Sequence, residues 1–287
     1  MINVWVTGSE GQLGGELKKI DYKKAGFFFF TKKREVDITN KSQIKKYIQL
    51  NKIGLIINCA AYTNVEEAEK NTLLAYKVNS DAVLNLVDAC HQFNCKLIHV
   101  STDFIYGDVY STPINEKVKA NPKSIYAKSK FEGEQFIFNS SIEAVVIRTS
   151  WLYSKFGHNF VKTILKVSKE KDSISVVKDQ YGTPTYAKNL AEICIELVRT
   201  NKKNIIGQEI YNFSNEGSCS WFEFASKIVE YANLECLILP ITTKEFPTLV
   251  ERSKYSVLDK TKIKNKLNLN IPLWEESLLK CIKTIIK

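Results

Sequence analysis

Short, nearly uninterrupted apolar runs alternate along the chain with longer stretches whose apolar positions recur every three or four residues. Residues 2–7, 27–31, 53–58 and 96–101 carry the short runs and predict strands, while 12–20, 40–51 and 72–92 have helical spacing. Runs such as Leu55-Ile56-Ile57 and Leu97-Ile98-His99-Val100 are apolar at both parities, the pattern of a strand covered on both faces. A helix at 124–139 then leads to a strand at 144–149, completing an α/β core with a doubly wound parallel (Rossmann) sheet over residues 1–150. Beyond it the rhythm loosens into a helix at 157–170, a strand near 174–177, a helix at 186–199, a strand at 208–213 and helices at 220–233 and 274–286. The expectation is a smaller C-terminal α/β substrate lobe over 151–287, with segments within about 174–213 returning to the Rossmann core.

Composition narrows the class. A hydrophobic fraction of 44% with 25% charged residues is that of a globular domain and excludes disorder and fibrous repeats. The greasiest stretch, Ala25 to Phe30, ends at Thr31-Lys32-Lys33-Arg34, far short of the roughly 18 residues of a bilayer span, so no membrane is expected. Met1-Ile2-Asn3-Val4-Trp5-Val6 has no charged leader region, which predicts a cytoplasmic chain. Seven cysteines without a CxxC pair argue for reduced thiols, and with three histidines, His91, His99 and His158, no metal site is expected; the cysteines and His158 read as structural or incidental. The formal charge of +10 comes mainly from lysines dispersed along the chain, a solvated surface rather than a nucleic-acid stripe, although anionic small molecules are a second reason for the excess.

The strand at 2–7 runs into Gly8-Ser9-Glu10-Gly11-Gln12-Leu13-Gly14, a G-x-x-G-x-x-G turn opening a helix, where bare backbone lets a pyrophosphate approach. After the second strand, where an acid commonly bonds the adenosine ribose, stand Lys32, Lys33 and Arg34, which either hold a 2′-phosphate or form a solvated basic loop. Asp37 fits either an adenine contact or a helix amino-cap region. Tyr126 and Lys130 share one helix face at i and i+4. Ser101-Thr102-Asp103 and Asn58-Cys59-Ala60-Ala61 end two core strands at the carboxyl edge, where such sheets bind ligands.

With these motifs the chain resembles the extended short-chain dehydrogenase/reductases, and within them the dTDP-4-dehydrorhamnose reductase family. The matching stretches are Gly8 to Gly14, Ala60 to Glu66 with Ala68-Glu69, Ser101 to Phe104, Tyr126 to Lys130 with Gly133-Glu134, Arg148 to Tyr153, and Asp179 to Thr185. The match weakens past about residue 215. The resemblance implies a catalytic Thr102, Tyr126 and Lys130, with Lys130 lowering the Tyr126 pKa. It implies cofactor contacts from Gly8, Gly11, Gln12, Leu13, Gly14, Lys32, Lys33, Arg34, Asp37, Ala60, Ala61, Tyr62, Tyr126 and Lys130, the last bonding the nicotinamide ribose, and Asn79 as the helix asparagine at the cofactor site that helps seat the lysine. Substrate contacts fall to Thr63, Val65, Thr102, Asp103, Trp151 and, near the diphosphate, Arg252. The implied activity is reduction of a nucleotide-diphosphate 4-keto-6-deoxyhexose by NADPH, with NADH as the alternative cofactor. An epimerase or dehydratase of the same family, or a non-catalytic NAD(P)-binding regulatory subunit, are the rivals; Phe104, standing where related dehydratases have Glu, argues against dehydration. Ala127 and Ser129 depart from the family's Tyr-Gly-x-Thr-Lys, Ser253 replaces a proline after Arg252, and Lys188 replaces one glutamate of a metal-bridged dimer in which Glu16 has a counterpart. A homodimer is left open, but not a metal-linked one.

Overall fold

The computed structural model describes residues 1–22, 24–107, 110–200 and 207–286. Its centre is a six-stranded sheet of β1 (Ile2–Thr7), β2 (Gly26–Phe30), β3 (Leu55–Asn58), β4 (Lys96–Thr102), β5 (Ala144–Thr149) and the strand Gln208–Phe213. Across the sheet the order is Gln208–Phe213, β5, β4, β3, β1, β2, with every neighbouring pair parallel. Alternation along each strand divides the core into two. Val4, Val6, Leu55 and Ile57 pack with Leu13, Leu17, Leu190 and Val198 on one face; Trp5, Ile56 and Val146 pack with Ile44, Ile48, Val83 and Leu86 on the other. The helices responsible are Gln12–Leu17 and Ala187–Thr200 on the first face, Lys41–Asn51 and Ala82–Phe93 on the second.

The register sets three polar residues in one row: Thr7 lies opposite Asn58, and Asn58 opposite His99. A third core, with Tyr153, Val161, Phe224, Trp274 and Leu278, lies outside the sheet among helices Phe160–Val167, Trp221–Tyr231 and Trp274–Ile285.

The C-terminal half divides differently from the expectation. Gln208–Phe213 pairs with β5 and the helix Ala187–Thr200 packs on the sheet, both within the Rossmann core. The strand near 174–177 does not return to it: Ser173–Val177 pairs in parallel with Leu237–Ile241 as a separate two-stranded sheet. The reason is visible in its composition. Ser173 and Ser175 are exposed and only Val176 and Val177 are buried, whereas all six residues of β5 are buried. Residues 201–206 of this stretch lie outside the described residues.

Periodicity also missed short elements. Helix Val65–Lys70 is capped by Asn64, and Thr261–Leu267 adds a turn beside the sheet. The long 72–92 helix is three pieces, Thr72–Tyr76, a π-helical turn Lys77–Asp81 and Ala82–Phe93, and the π turn carries Asn79. Among the described residues no helix is long and apolar enough to cross a membrane.

Candidate active site

Where β1 ends, Gly8 turns the chain at φ 61°, a left-handed conformation suited to glycine. Its neighbours come too close for any side chain. A β-carbon at Gly8 would stand 2.7 Å from Ala60 N, and one at Gly14 would stand 2.5 Å from Gly8 O. Gly11 N donates to Gly8 O at 3.0 Å and Gly11 caps the helix that follows. Among the described residues Ser9 Oγ and Gln12 Oε1, buried in this turn, have no hydrogen-bond partner, and they are polar atoms that a dinucleotide in the cradle would satisfy. Gln12 Nε2 reaches across to Leu152 O at 3.3 Å. Leu13, expected at the cofactor, turns its side chain into the core.

Glu10, Lys33, Arg34 and Asp37 line a shallow cleft beside the turn. Of the three cations expected there, Lys32 is engaged by Glu10 at 3.0 Å, leaving Lys33 and Arg34 on the cleft wall. Asp37 accepts from Thr39 N and Oγ1, both at 2.9 Å, while the cap of the next helix is Asn40. Asp37 is therefore a turn former, neither the cap itself nor free of local bonds.

Helix Ile125–Phe138 carries Tyr126 and Lys130, both buried, with the first turn capped by Ser124. Glu69 accepts Ile125 N at 2.7 Å, so the helix start is tied to helix Val65–Lys70. Thr102 ends β4 and Asp103 follows it; Thr102 Oγ1 donates to Asp103 Oδ1 at 3.2 Å and accepts Phe104 N at 3.2 Å, on the side where the Tyr126 phenol lies. Burial pushes the Tyr126 phenol up to about 12, Asp103 adds to the rise, and the Thr102 hydrogen bond and Arg252 oppose it. The expectation that Lys130 lowers this pKa fails because Lys130 points elsewhere: Nζ donates to Val100 O at 2.7 Å and lies 3.3 Å from His99 Nε2. Burial brings Lys130 down to about 8 against the pull of Glu134. Asp103 rises to about 7, burial outweighing its hydrogen bonds and the charge of Arg252.

Asn79 does not touch the lysine. Its Oδ1 accepts Tyr62 N at 2.8 Å, and Nδ2 donates to Tyr62 O at 3.0 Å and Ser129 Oγ at 3.1 Å. Asn79 thus staples the 60–62 loop to the Tyr126 helix. Ala60, Ala61 and Tyr62 are half-buried over the end of β3, Val65 packs beside Tyr126, and Thr63 is exposed.

A cleft of about 680 Å³ opens beside Asp103 and runs into the C-terminal half. Trp151 forms one wall with φ at 45°, a left-handed backbone that a residue with a β-carbon adopts only when its surroundings impose it. Its indole stacks on Trp221 at 3.5 Å, with Phe160 behind. Tyr153, by contrast, is core. Arg252, Lys123 and Lys254 supply cations on the wall; Arg252 lies over the Phe104 ring at 5.3 Å and pairs with Glu66 at 2.7 Å. Glu16 is buried and accepts Ser154 Oγ at 2.6 Å, and among the described residues no cluster of metal-ligating side chains is present.

Sequence reasoning missed Glu66, Trp221 and His99. Glu66 lay within a quoted motif without a role, and Trp221 sits in the poorly matching third. His99 had a signal, a histidine inside an apolar run two residues before Ser101-Thr102-Asp103.

A parallel sheet of this order, a glycine cradle at its carboxyl edge and a buried Thr–Tyr–Lys cluster define an extended short-chain dehydrogenase/reductase. Comparison with known proteins narrows this. The chain belongs to the RmlD substrate binding domain family, which matches it over residues 2–286. It is 36% identical to dTDP-4-dehydrorhamnose reductase of Aggregatibacter actinomycetemcomitans, over 97% of each chain. It is 36% identical to the spore coat polysaccharide biosynthesis protein SpsK of Bacillus subtilis (strain 168), over 97% of this chain and 96% of that one. The crystal structure of dTDP-4-dehydrorhamnose reductase from Bacillus anthracis str. Ames in complex with NADP superimposes with a TM-score of 0.93 at 38% identity, covering 99% of this chain and 100% of that one.

Proposed function

We propose that the chain is an NADPH-dependent reductase of a nucleotide-diphosphate 4-keto-6-deoxyhexose resembling dTDP-4-dehydrorhamnose, supplying an activated deoxysugar for surface glycans. The observation that carries this reading is the buried Tyr126 phenol set against Thr102 and Asp103, where Asp103 opens onto a cleft with cationic and aromatic walls, with Lys130 one helical turn further on. The relatives named as dTDP-4-dehydrorhamnose reductases and the NADP complex of one of them support it.

When bound, the dinucleotide supplies the hydride. The protein's part is to hold the carbonyl and move a proton. Tyr126 gives its phenolic proton to the carbonyl oxygen, and Thr102, beside that phenol, turns its hydroxyl from Asp103 to donate to the same oxygen as charge develops, worth about 2–4 kcal/mol. Gly8, Gly11 and Gly14 admit the pyrophosphate, and Lys33 and Arg34 receive the 2′-phosphate. Trp151 and Arg252 hold the sugar nucleotide in the cleft.

A panel of 4-keto-6-deoxy nucleotide sugars, assayed for NADPH consumption with wild type and Tyr126→Phe, tests the reading. The wild type should consume NADPH faster than NADH, and Tyr126→Phe should bind NADPH normally while losing about two or more decades of kcat. Conversion of the sugar without cofactor consumption would mean an epimerase or dehydratase. NADPH binding with no turnover on any sugar would mean a regulatory subunit.

A further inference from the structure

Behind the Tyr126 helix a chain of polar groups crosses three strands inside an otherwise apolar layer. Ala60 N donates to Thr7 Oγ1 at 3.3 Å, Thr7 Oγ1 donates to Asn58 Oδ1 at 2.6 Å, Asn58 Nδ2 meets His99 Nδ1 at 3.1 Å, and His99 Nε2 meets Lys130 Nζ at 3.3 Å. Asn58 and His99 have no solvent exposure at all, and Thr7 and Lys130 almost none. Apolar packing alone would place Val or Ile at these strand positions, so three unneeded polar groups in a row call for a use.

We propose that His99 is a positioning residue that holds the Lys130 amine, and that the Thr7–Asn58 pair sets the imidazole tautomer, and so whether the Nε2 that Lys130 meets carries a proton. The role attaches to the reductase reading, because it acts through Lys130. Its direction follows from donor and acceptor counts. The Ala60 N–H is a backbone donor that cannot reverse, and it takes a lone pair of Thr7 Oγ1. The Thr7 proton then has Asn58 Oδ1 as its acceptor; turning the Asn58 amide over would leave that proton unpaired in the core. Asn58 therefore presents N–H to His99 Nδ1, and the neutral imidazole carries its own proton on Nε2, aimed at Lys130. An amine at Lys130 accepts that proton donor, while an ammonium would oppose it donor to donor.

Besides Val100 O, which accepts from Lys130 Nζ at 2.7 Å whether the amine is charged or not, no charged group of the layer meets Nζ directly among the described residues. Across β5 the residue in register with His99 is Val146, across β3 it is the uncharged Asn58, and helix Ala82–Phe93 offers Ala82, Val83 and Leu86 to this layer. From helix Ile125–Phe138 comes Lys130 itself, and one turn on Glu134, whose carboxylate is bound by Arg148. Burial and the Lys130 charge hold His99 well below the ordinary histidine range, consistent with a neutral ring. Lys130, brought down to about 8, can then exchange a proton near neutral pH instead of remaining a fixed ammonium.

The test is NMR of the whole protein without substrate, reading the His99 tautomer from its ring nitrogens and the Lys130 titration from labelled lysine. The wild type should show the Nε2–H tautomer, with the ring staying neutral well below the ordinary histidine range. Asn58→Asp supplies an acceptor where Asn58 donates, so it should move the His99 proton to Nδ1; its carboxylate also attracts the lysine charge, and the tautomer is therefore its readout. Thr7→Val, close in shape and the safer fold, frees Asn58 to turn and should raise the Lys130 midpoint by up to about one pH unit. An Nδ1–H tautomer in the wild type, an Nε2–H tautomer kept in Asn58→Asp, or a Lys130 midpoint unchanged by Thr7→Val would overturn the proposal. Neither readout needs turnover, so an inactive wild type would count against the reductase reading and leave this test standing.

Discussion

Asp103 shows how one side chain ties chemistry to stability. It is a buried carboxyl beside Thr102 and the Tyr126 phenol, and burial raises it from an ordinary carboxylate to about 7. An acid whose pKa is raised on folding binds more protons folded than unfolded through the interval between the two values. Its contribution is full below about pH 4 and is lost as pH rises through about 7. Asp103→Asn keeps Oδ1 as an acceptor but cannot ionise, so it should remove this loss. Between about pH 5 and pH 8 the wild type should fall in unfolding free energy relative to Asp103→Asn by on the order of 2 kcal/mol, read by urea titration at both values. Parallel pH curves for the two proteins would mean that Asp103 stays ionised. Tyr126 and Lys130 were legible as a pair from their spacing, yet their environments were not, because desolvation depends on the elements packed over them.

Among the elements, the glycine turn makes the sharpest demand. Gly14 lies in the first turn of the helix, where a β-carbon would stand 2.5 Å from Gly8 O and 2.6 Å from Ser9 Cα, whereas a β-carbon at Gly11 would stand 3.3 Å from Gly8 O, a contact that a small shift relieves. Gly14→Ala should therefore reshape the cradle and weaken NADPH binding more than tenfold, with overpacking costing about 1–3 kcal/mol of stability; Gly11→Ala should do much less. Fluorescence titration with NADPH beside thermal unfolding checks both, and equal affinities for the two variants would refute the close-approach argument. The turn was readable because it is local, seven residues between a strand and a helix. The π turn at Lys77–Asp81 was not, since its cause is Asn79 bonding Tyr62 and Ser129, seventeen and fifty residues away.

At the scale of the whole molecule, the two halves meet through Glu66, which accepts Arg252 Nη2 at 2.7 Å and Val250 N at 3.2 Å. The Arg252 and Glu66 side chains are 28% and 37% exposed, so the pair contributes less than about 1 kcal/mol to folding. Its importance is where it holds the guanidinium, on the cleft wall above Phe104. Arg252→Gln should leave the urea midpoint nearly unchanged and raise KM for the nucleotide sugar by about tenfold, with a free keto sugar unaffected. Steady-state kinetics on the two substrates decide it; equal effects on both would place Arg252 away from the diphosphate.

Local order is what the sequence determined: the alternation of strands and helices, the glycine turn, the Tyr126–Lys130 spacing and the strand ends that carry Thr102 and Asp103. These are written in burial parity and backbone periodicity, which neighbouring residues settle among themselves. Tertiary structure alone decided that Ser173–Val177 joins Leu237–Ile241, that Trp221 covers Trp151, that Glu66 takes Arg252 and that Lys130 turns to His99. Each of these joins residues at least 31 apart in the chain. No local pattern specifies such pairs; they form when sheet register and helix packing bring two side chains to the same place with matching donors, charges or shapes.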